Sequence, residues 1–596
     1  MRLRPRVPLS LRLRPRLPLR LRLGFAAALP VPMLATTLVA VPAASAAGYS
    51  MRSVSLDVKV GPGRDQPCRV VADLYEPAGT GRAPAVLTTN GFGGSKDDLA
   101  GTAKAFVRQG YVVLAYSGLG AGGSTCRITL DHPDYDGVAA RHLVSFLAGK
   151  VASSDGTRVT SVRLDGPGDP RVGMIGGSYG GGAQFAAAGM DGRIDALVPI
   201  DTWHDLRYSL APNNELASSG RLASAGPGAT KLLGGLGFFA LGAYRGVSEA
   251  QADPSRLMGC PNFPTALCQA VAESLIFGTP RSNSLAYLRA ASVASYVSRI
   301  KAPTLLVQGQ TDTLFNLQEA AETYRDLKAQ GTPVKMIWHS GGHSGPNAAG
   351  DLDLENPTAN YVGRRALAWF AHYLKGSSTG AGPAFAYFRP WVSYDGDATP
   401  AYASTPVRSQ RLYLSGKDRL VSSKSKVVSG RASYSNPLGA WPTSFSELSL
   451  FQDALNDIPP ADAPGTFAAW TSTPLTQNLD VVGSPTLSVR LTSPAAAWSQ
   501  TRGVDGRLVL FAKLYDVAPD GTATLARRLV SPVRVTDVRK PVTVALPGIV
   551  HRFRAGHRLR VVVASSDLNY LGNRAVLPVT VRTNPKTPGT LALPVG

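Results

Sequence analysis

Residues Arg171-Val-Gly-Met-Ile-Gly-Gly-Ser-Tyr-Gly-Gly-Gly182 constrain the fold of this chain more than any other stretch. A short apolar run ends in Gly176-Gly177-Ser178-Tyr179-Gly180, and small residues follow from Ala183 to Met190. The pattern predicts a strand, a sharp turn and a helix, with Ser178 at the apex. A turn this tight forces the serine into a strained backbone conformation. Residues without Cβ are what let strand and helix approach so closely.

The pattern alone is weak. With 62 glycines in 596 residues, a chance Gly-x-Ser-x-Gly is expected roughly 0.5 times in such a chain. A second match occurs at Gly376-Ser377-Ser378-Thr379-Gly380, in a polar stretch with no strand before it and no helix after it. It reads as linker. Context selects Ser178, because a strand leads into it and a helix leads out, as in the nucleophile elbow of an α/β-hydrolase.

The first 46 residues read as a targeting segment. Eight arginines lie between Arg2 and Arg22, Gly24 to Val41 is apolar, and Ala44-Ser45-Ala46 is an A-x-A cleavage site. An uncleaved anchor is the competing reading, but Pro30, Pro32 and the small residues that follow favour cleavage near Ala46 and secretion, with no stable membrane insertion afterwards. The formal net charge of +22 falls to +14 without the leader's arginines. The remaining Lys and Arg are scattered and lack interleaved aromatics, which favours a solvated surface over nucleic-acid binding. The four cysteines of an exported chain predict two disulfides. Cys260 and Cys268 are close in sequence and are expected to pair, leaving Cys68 with Cys126, although four cysteines allow three connectivities. None has metal-site spacing with histidine, so no metal or other cofactor is expected.

Residues 50–80 alternate as antiparallel edge strands. Buried strands follow at 85–89 and 111–116, helices at 99–107 and 136–147, then the elbow and a strand at 194–200. Strands alternating with helices imply a parallel sheet covered on both faces. The alternation stops at about 202–300, a stretch rich in Ala, Gly, Leu and Ser that predicts a helical cap. Its apolar run from Leu232 to Tyr244 is too short to span a bilayer. The sheet resumes at 303–309 and 334–338, and an amphipathic helix at 359–374 closes a catalytic domain of residues 50–376. A linker at 377–383 leads to short alternating strands through 384–596, an all-β sandwich of about 200 residues.

A serine hydroxyl is a poor nucleophile until a histidine takes its proton, and a carboxylate must fix that histidine's tautomer. In α/β-hydrolases the three arrive in the order Ser, Asp, His from loops after strands. Asp312 follows the strand ending at Gly309, and His343 follows the strand ending at Trp338 in Ser-Gly-Gly-His-Ser-Gly. His339 is the rival base, but it sits at the strand end, whereas the glycine-rich loop gives His343 reach. The oxyanion hole is expected to use the backbone N–H of Tyr179 and a second N–H near Gly91 or Phe92.

Gly177-Ser-Tyr-Gly180 with Asp312 and His343, a cap and a C-terminal sandwich together resemble the Xaa-Pro dipeptidyl-peptidase and cocaine-esterase family of serine hydrolases. Trp470-Thr-Ser-Thr-Pro-Leu475, Ala512-Lys-Leu-Tyr-Asp-Val-Ala-Pro-Asp-Gly521 and Ala555-Gly-His-Arg-Leu-Arg-Val-Val562 resemble its jelly-roll domain. The resemblance implies acyl transfer to Ser178 and hydrolysis of the acyl-enzyme. It places dipeptidyl-peptidase action on Xaa-Pro peptides ahead of hydrolysis of small acyl esters or amides. A secreted, non-catalytic binding protein is the alternative of another class. Two departures stand out. Phe92 occupies the position where a tyrosine commonly completes the oxyanion hole, leaving two backbone donors or a tyrosine such as Tyr116 to fill the role. Gly180 replaces a frequent leucine and is expected to widen the elbow. Oligomeric state and any ligand of the sandwich domain leave no mark in the sequence.

Overall fold

Val54, Leu56, Val58 and Val60 are buried along β1 (Tyr49–Val60), and each is separated from the next by a more exposed residue. This strand pairs antiparallel with β2 (Gln66–Pro77), so one face of the hairpin meets the core and the other meets water. The computed structural model describes residues 48–79, 81–222, 226–405, 407–446 and 458–596. The expected leader, residues 1–46, lies outside them.

Next come the fully buried β3 (Ala85–Thr89) and β4 (Val112–Tyr116), a short hairpin of β5 (Leu164–Gly166) and β6 (Asp169–Pro170), and then β7 (Val172–Gly177). They are followed by β8 (Ile194–Ile200), β9 (Thr304–Gly309), β10 (Val334–His339), β11 (Phe385–Phe388) and β12 (Tyr402–Ala403). Without the β5–β6 hairpin these strands form one sheet in the order β1-β2-β4-β3-β7-β8-β9-β10-β11-β12. Strands β3, β4 and β7 to β11 run parallel.

Alternate residues of each strand feed two separate cores. Leu87, Leu114, Met174 and Leu306 pack with Leu143, Phe185 and Leu327 on one face. Val86, Val113, Ile175 and Leu305 pack with Phe106, Trp369 and Phe370 on the other. The first face carries α2 (Val138–Leu147), α3 (Tyr179–Met190) and α8 (Leu317–Ala329); the second carries α1 (Ala100–Arg108) and α9 (Tyr361–Lys375). This is an α/β-hydrolase arrangement.

Between β8 and β9 lies the cap, with α4 (Leu206–Leu210), α5 (Leu232–Ser248), α6 (Thr265–Phe277) and α7 (Ser282–Ala290). Disulfides join Cys260 to Cys268 within it and Cys68 to Cys126 between β2 and the loop after β4. Arg256 of the cap is fully buried and donates to the carbonyls of Cys126, at 2.9 Å, and Ser124. The cap is thereby fastened to the loop that the second disulfide holds. No helix among the described residues is long and apolar enough to cross a membrane.

One boundary moves. The stretch after residue 384, expected to open the β-domain, instead continues the first sheet: β11 pairs parallel with β10, and Phe385 meets Trp338 with ring centroids 4.8 Å apart. The reason is burial, since Ala386, Tyr387 and Phe388 are all covered there. The all-β domain proper starts with the strand Arg408–Ser415 and builds a core from residues such as Leu414, Trp470, Leu510, Phe553 and Leu591. It also braces the catalytic half. The Gln318 side chain of α8 donates to the Leu546 carbonyl at 2.9 Å and accepts from the Gly548 N–H at 3.0 Å. The N–H of Leu232, at the start of α5, donates to the Asn569 carbonyl at 2.8 Å.

Beneath α3 the turn Pro133–Gly137 carries Asp136, which is buried and accepts from the Thr129 hydroxyl. Burial pushes its carboxyl up to about 7, against the bonds it receives. The unfolded chain loses this proton near pH 4. The group's contribution therefore favours the fold fully at low pH and is lost as pH rises from about 4 to 7. Thermal unfolding at pH 5 and pH 8 should show Asp136→Asn gaining on the wild type at the higher pH, by on the order of 2 kcal/mol. A pH-independent difference would contradict this.

Candidate active site

Strand β7 buries Val172 to Gly176 between its neighbours, and the chain then turns sharply at Ser178, with φ 55° and ψ −118°. For a residue with a Cβ this conformation is costly, and the surroundings must hold it. The Ser178 N–H donates to the Ile200 carbonyl at 2.8 Å, and the Ser178 carbonyl accepts from Gly181 at 2.9 Å and Gly182 at 3.1 Å. Gly180 does not widen the elbow as expected. A Cβ there would lie 2.3 Å from the Thr89 carbonyl oxygen, so the glycine lets α3 lie directly against the end of β3.

The structure brings the three expected side chains into one hydrogen-bonded chain, each from the C-terminal end of a parallel strand. Nε2 of His343 lies 2.8 Å from Ser178 Oγ, and Nδ1 lies 2.6 Å from Asp312 Oδ2. Asp312 is fully buried, and its other oxygen accepts the N–H groups of Leu314 at 2.9 Å and Phe315 at 2.7 Å. Those bonds orient the carboxylate toward the imidazole. A carboxylate at Nδ1 places the proton there and leaves Nε2 as an acceptor facing the hydroxyl. Burial alone would depress the His343 pKa, but the Asp312 charge and hydrogen bond raise it above the ordinary histidine value.

Tyr179 is the first residue of α3, where backbone N–H groups lack an intrahelical partner. The loop after β3 comes alongside: the Phe92 and Tyr179 rings lie 5.8 Å apart. Asn90, which sequence reasoning passed over, shapes this loop. It is buried, accepts the Gly118 N–H at 2.9 Å and donates to the Gly91 carbonyl at 2.7 Å. Tyr116 does not reach in; it is buried at the end of β4 and is absent from the cavity wall at Ser178. The Tyr179 hydroxyl is engaged by the Asp131 N–H at 3.2 Å.

His339, the rival base, is fully buried, with Nε2 2.9 Å from Asp201 and Nδ1 2.9 Å from Asn347. Both ring nitrogens are occupied, which leaves none for Ser178. The other overlooked residues are Trp203 and Phe315, whose rings lie 5.3 Å apart, with Phe315 edge-on to His343. Each comes shortly after a strand end, the same signal that marked Asp312.

Ser178 opens into a cavity of about 140 Å³ beneath the cap. Its walls are aromatic and aliphatic, with Phe92, Trp203, Phe238, Phe239, Phe263 and Phe315 among them. Among the described residues Lys231 is the one charged residue lining it, and its ammonium donates to the carbonyls of Thr313 at 2.6 Å and Leu314 at 3.1 Å. Among the described residues, too, no carboxylate lines the cavity and no cluster could hold a metal ion.

The family profile described as X-Pro dipeptidyl-peptidase (S15 family) matches residues 65–345, and that of the X-Pro dipeptidyl-peptidase C-terminal non-catalytic domain matches 388–575. No curated protein matches the chain in sequence. Among solved structures, an aminopeptidase from a marine-sediment Thaumarchaeota archaeon is similar over 93% of this chain and 98% of its own, at 14% identity and a TM-score of 0.60. An α-amino acid ester hydrolase is similar over 94% and 98%, at 17% identity and a TM-score of 0.58. A CocE/NonD family hydrolase from Staphylococcus aureus is similar over 92% and 96%, at 14% identity and a TM-score of 0.60. At these identities the structures establish a shared fold.

Strain at Ser178 gives a test that needs no substrate. Replacing the residue with glycine relieves the positive φ, whereas alanine keeps it. In denaturant unfolding, Ser178→Gly should be more stable than Ser178→Ala by about 1 kcal/mol, the strain relieved less glycine's greater unfolded freedom. Equal stabilities would show an unstrained elbow.

Proposed function

The chain belongs to the S15 family of serine hydrolases, and on that premise we propose that it hydrolyses acyl esters with an uncharged, apolar acyl group through an acyl-enzyme on Ser178. His343 Nε2 takes the hydroxyl proton as Oγ attacks the carbonyl carbon. The oxyanion that forms faces the Tyr179 N–H and an N–H of the 91–92 loop. Collapse expels the alcohol with the proton from His343, and water repeats the sequence to release the acid. Asp312 keeps the imidazole in one tautomer and stabilises it when charged.

One observation carries the choice of substrate: among the described residues, the cavity beside Ser178 is apolar and has no carboxylate in its wall. An Xaa-Pro dipeptidyl-peptidase must bury its substrate's N-terminal ammonium, and an unpaired buried charge costs several kcal/mol. An acyl chain needs no such partner and contributes about 0.8 kcal/mol per buried methylene. The cavity supports placing esters ahead of the prolyl peptides that the family resemblance put first. The family's name still supports the prolyl-peptide reading, which an assay can separate. Export belongs to the same proposal and rests on the leader together with two disulfides.

A panel of p-nitrophenyl acetate, propionate and butyrate beside Gly-Pro and Ala-Pro p-nitroanilides discriminates. We expect kcat/KM to rise about fourfold per added methylene, and the prolyl amides to be slower than butyrate by on the order of 100-fold or more. Ser178→Ala should lower kcat by at least about 10⁴-fold. Prolyl amides turned over faster than the esters would reverse the assignment.

A further inference from the structure

We propose that Asp201 and His339 form a positioning pair, a buried carboxylate–imidazole clasp that fixes the loop carrying His343 so that its Nε2 stays within reach of Ser178. The inference rests on the mechanism proposed above and adds two residues that never touch the substrate.

The clasp spans three strands. Asp201 follows β8 with a positive φ of 49°, and its N–H donates to the Val307 carbonyl on β9 at 2.9 Å. Its carboxylate accepts the Gly309 N–H, also on β9, at 2.6 Å, and meets His339 Nε2 at 2.9 and 3.1 Å. His339 is the last residue of β10, and its Nδ1 meets the Asn347 side-chain oxygen at 2.9 Å. His343 lies between them in sequence. One imidazole thus closes the His343 loop at its base while holding that base to the neighbouring strand ends. The same β9 end leads into Asp312, so the clasp sets the spacing of acid and base together. The Thr311 N–H reinforces this by donating to the Gly341 carbonyl at 3.0 Å.

Nε2 meets the Asp201 carboxylate, and Nδ1 meets both the Asn347 oxygen at 2.9 Å and the Gly341 N–H at 3.3 Å. Burial opposes a charged ring, but the Asp201 charge overrides it and holds the His339 pKa at about 9. Conversely, burial opposes ionisation of Asp201, and His339 holds its carboxyl below the usual carboxylate range. The charged groups facing His343 are Asp312 after β9, Asp201 after β8 and His339 of β10. Asp351 faces His339 from the following loop and accepts the Ser340 N–H at 2.8 Å. The Asp201 charge raises the His343 pKa, and the His339 charge lowers it.

Non-additive losses confined to kcat separate a positioning pair from inert packing. Using p-nitrophenyl butyrate, we expect Asp201→Asn and His339→Gln each to lower kcat about tenfold or more with KM within about twofold, as misplacement of a base does. His343 must be neutral to act, so activity falls as pH drops through its pKa. Each charge holds the other ionised, so either variant discharges the pair and the two opposing effects on His343 leave together: the acid limb of kcat/KM should stay within about 0.3 pH unit of the wild type. The double variant should match the lower single variant in kcat rather than multiply the two losses. Asn347→Ala, which opens the clasp and leaves its charges in place, should lower kcat several-fold without moving the limb, and it serves if either charge variant fails to fold. Single variants with kcat within twofold of the wild type, losses that multiply in the double variant, or KM raised as much as kcat falls would overturn the proposal. An inactive wild type would instead overturn the mechanism on which it rests.

Discussion

One imidazole carries two bonds on which the whole catalytic half depends. His343 reaches Ser178 at 2.8 Å on one side and Asp312 at 2.6 Å on the other, and neither partner is near it in sequence. For both bonds to form, the ends of β7, β9 and β10 must be held to within a fraction of an ångström. A parallel sheet covered on both faces supplies that rigidity, because each strand end is fixed by neighbours and by two apolar cores. The strain at Ser178 is sustained by the same frame. Its N–H is bonded to β8, and Gly180 lets the following helix rest on β3.

The rest of the chain shapes what reaches that imidazole. The cap interrupts the sheet between β8 and β9, on the side where Ser178 emerges, and brings Phe238, Phe239 and Phe263 over it. Its attachments are polar and off to the side: buried Arg256 on the loop after β4, and the start of α5 on the β-domain. The wall facing the serine is left free to be apolar. The β-domain holds α8 through Gln318, and α8 follows the Asp312 loop directly. That domain therefore acts at a distance, as a brace for the acid.

Much of this was legible in the sequence because it is local. The elbow, the strands before Asp312 and His343, the cap as a break in alternation, and the pairing of Cys260 with Cys268 each leave a pattern within a short window. What stayed hidden depends on contacts between distant residues. Nothing near Asp201 in sequence marks it as the partner of His339, and a lone aspartate after a strand resembles any turn residue. Gly180 looked like added space, but its role is set by the Thr89 carbonyl on another strand. Phe385 to Phe388 form a short apolar run that either sheet could bury, so only pairing with β10 shows which sheet they join. The cavity's character could not be read either, because its wall is assembled from the 91–92 loop, all four cap helices and the loops after β4, β7, β8 and β9.

Turnover by the acyl-enzyme route requires that Ser178 becomes covalently acylated. Rapid-quench intact-mass spectrometry of the wild-type chain with p-nitrophenyl butyrate, followed by peptide mapping, detects that species. A transient butyryl adduct is expected on the peptide containing Ser178, formed as p-nitrophenol is released and absent from Ser178→Ala. Ester turnover with no adduct, or with the adduct on another residue, would contradict it.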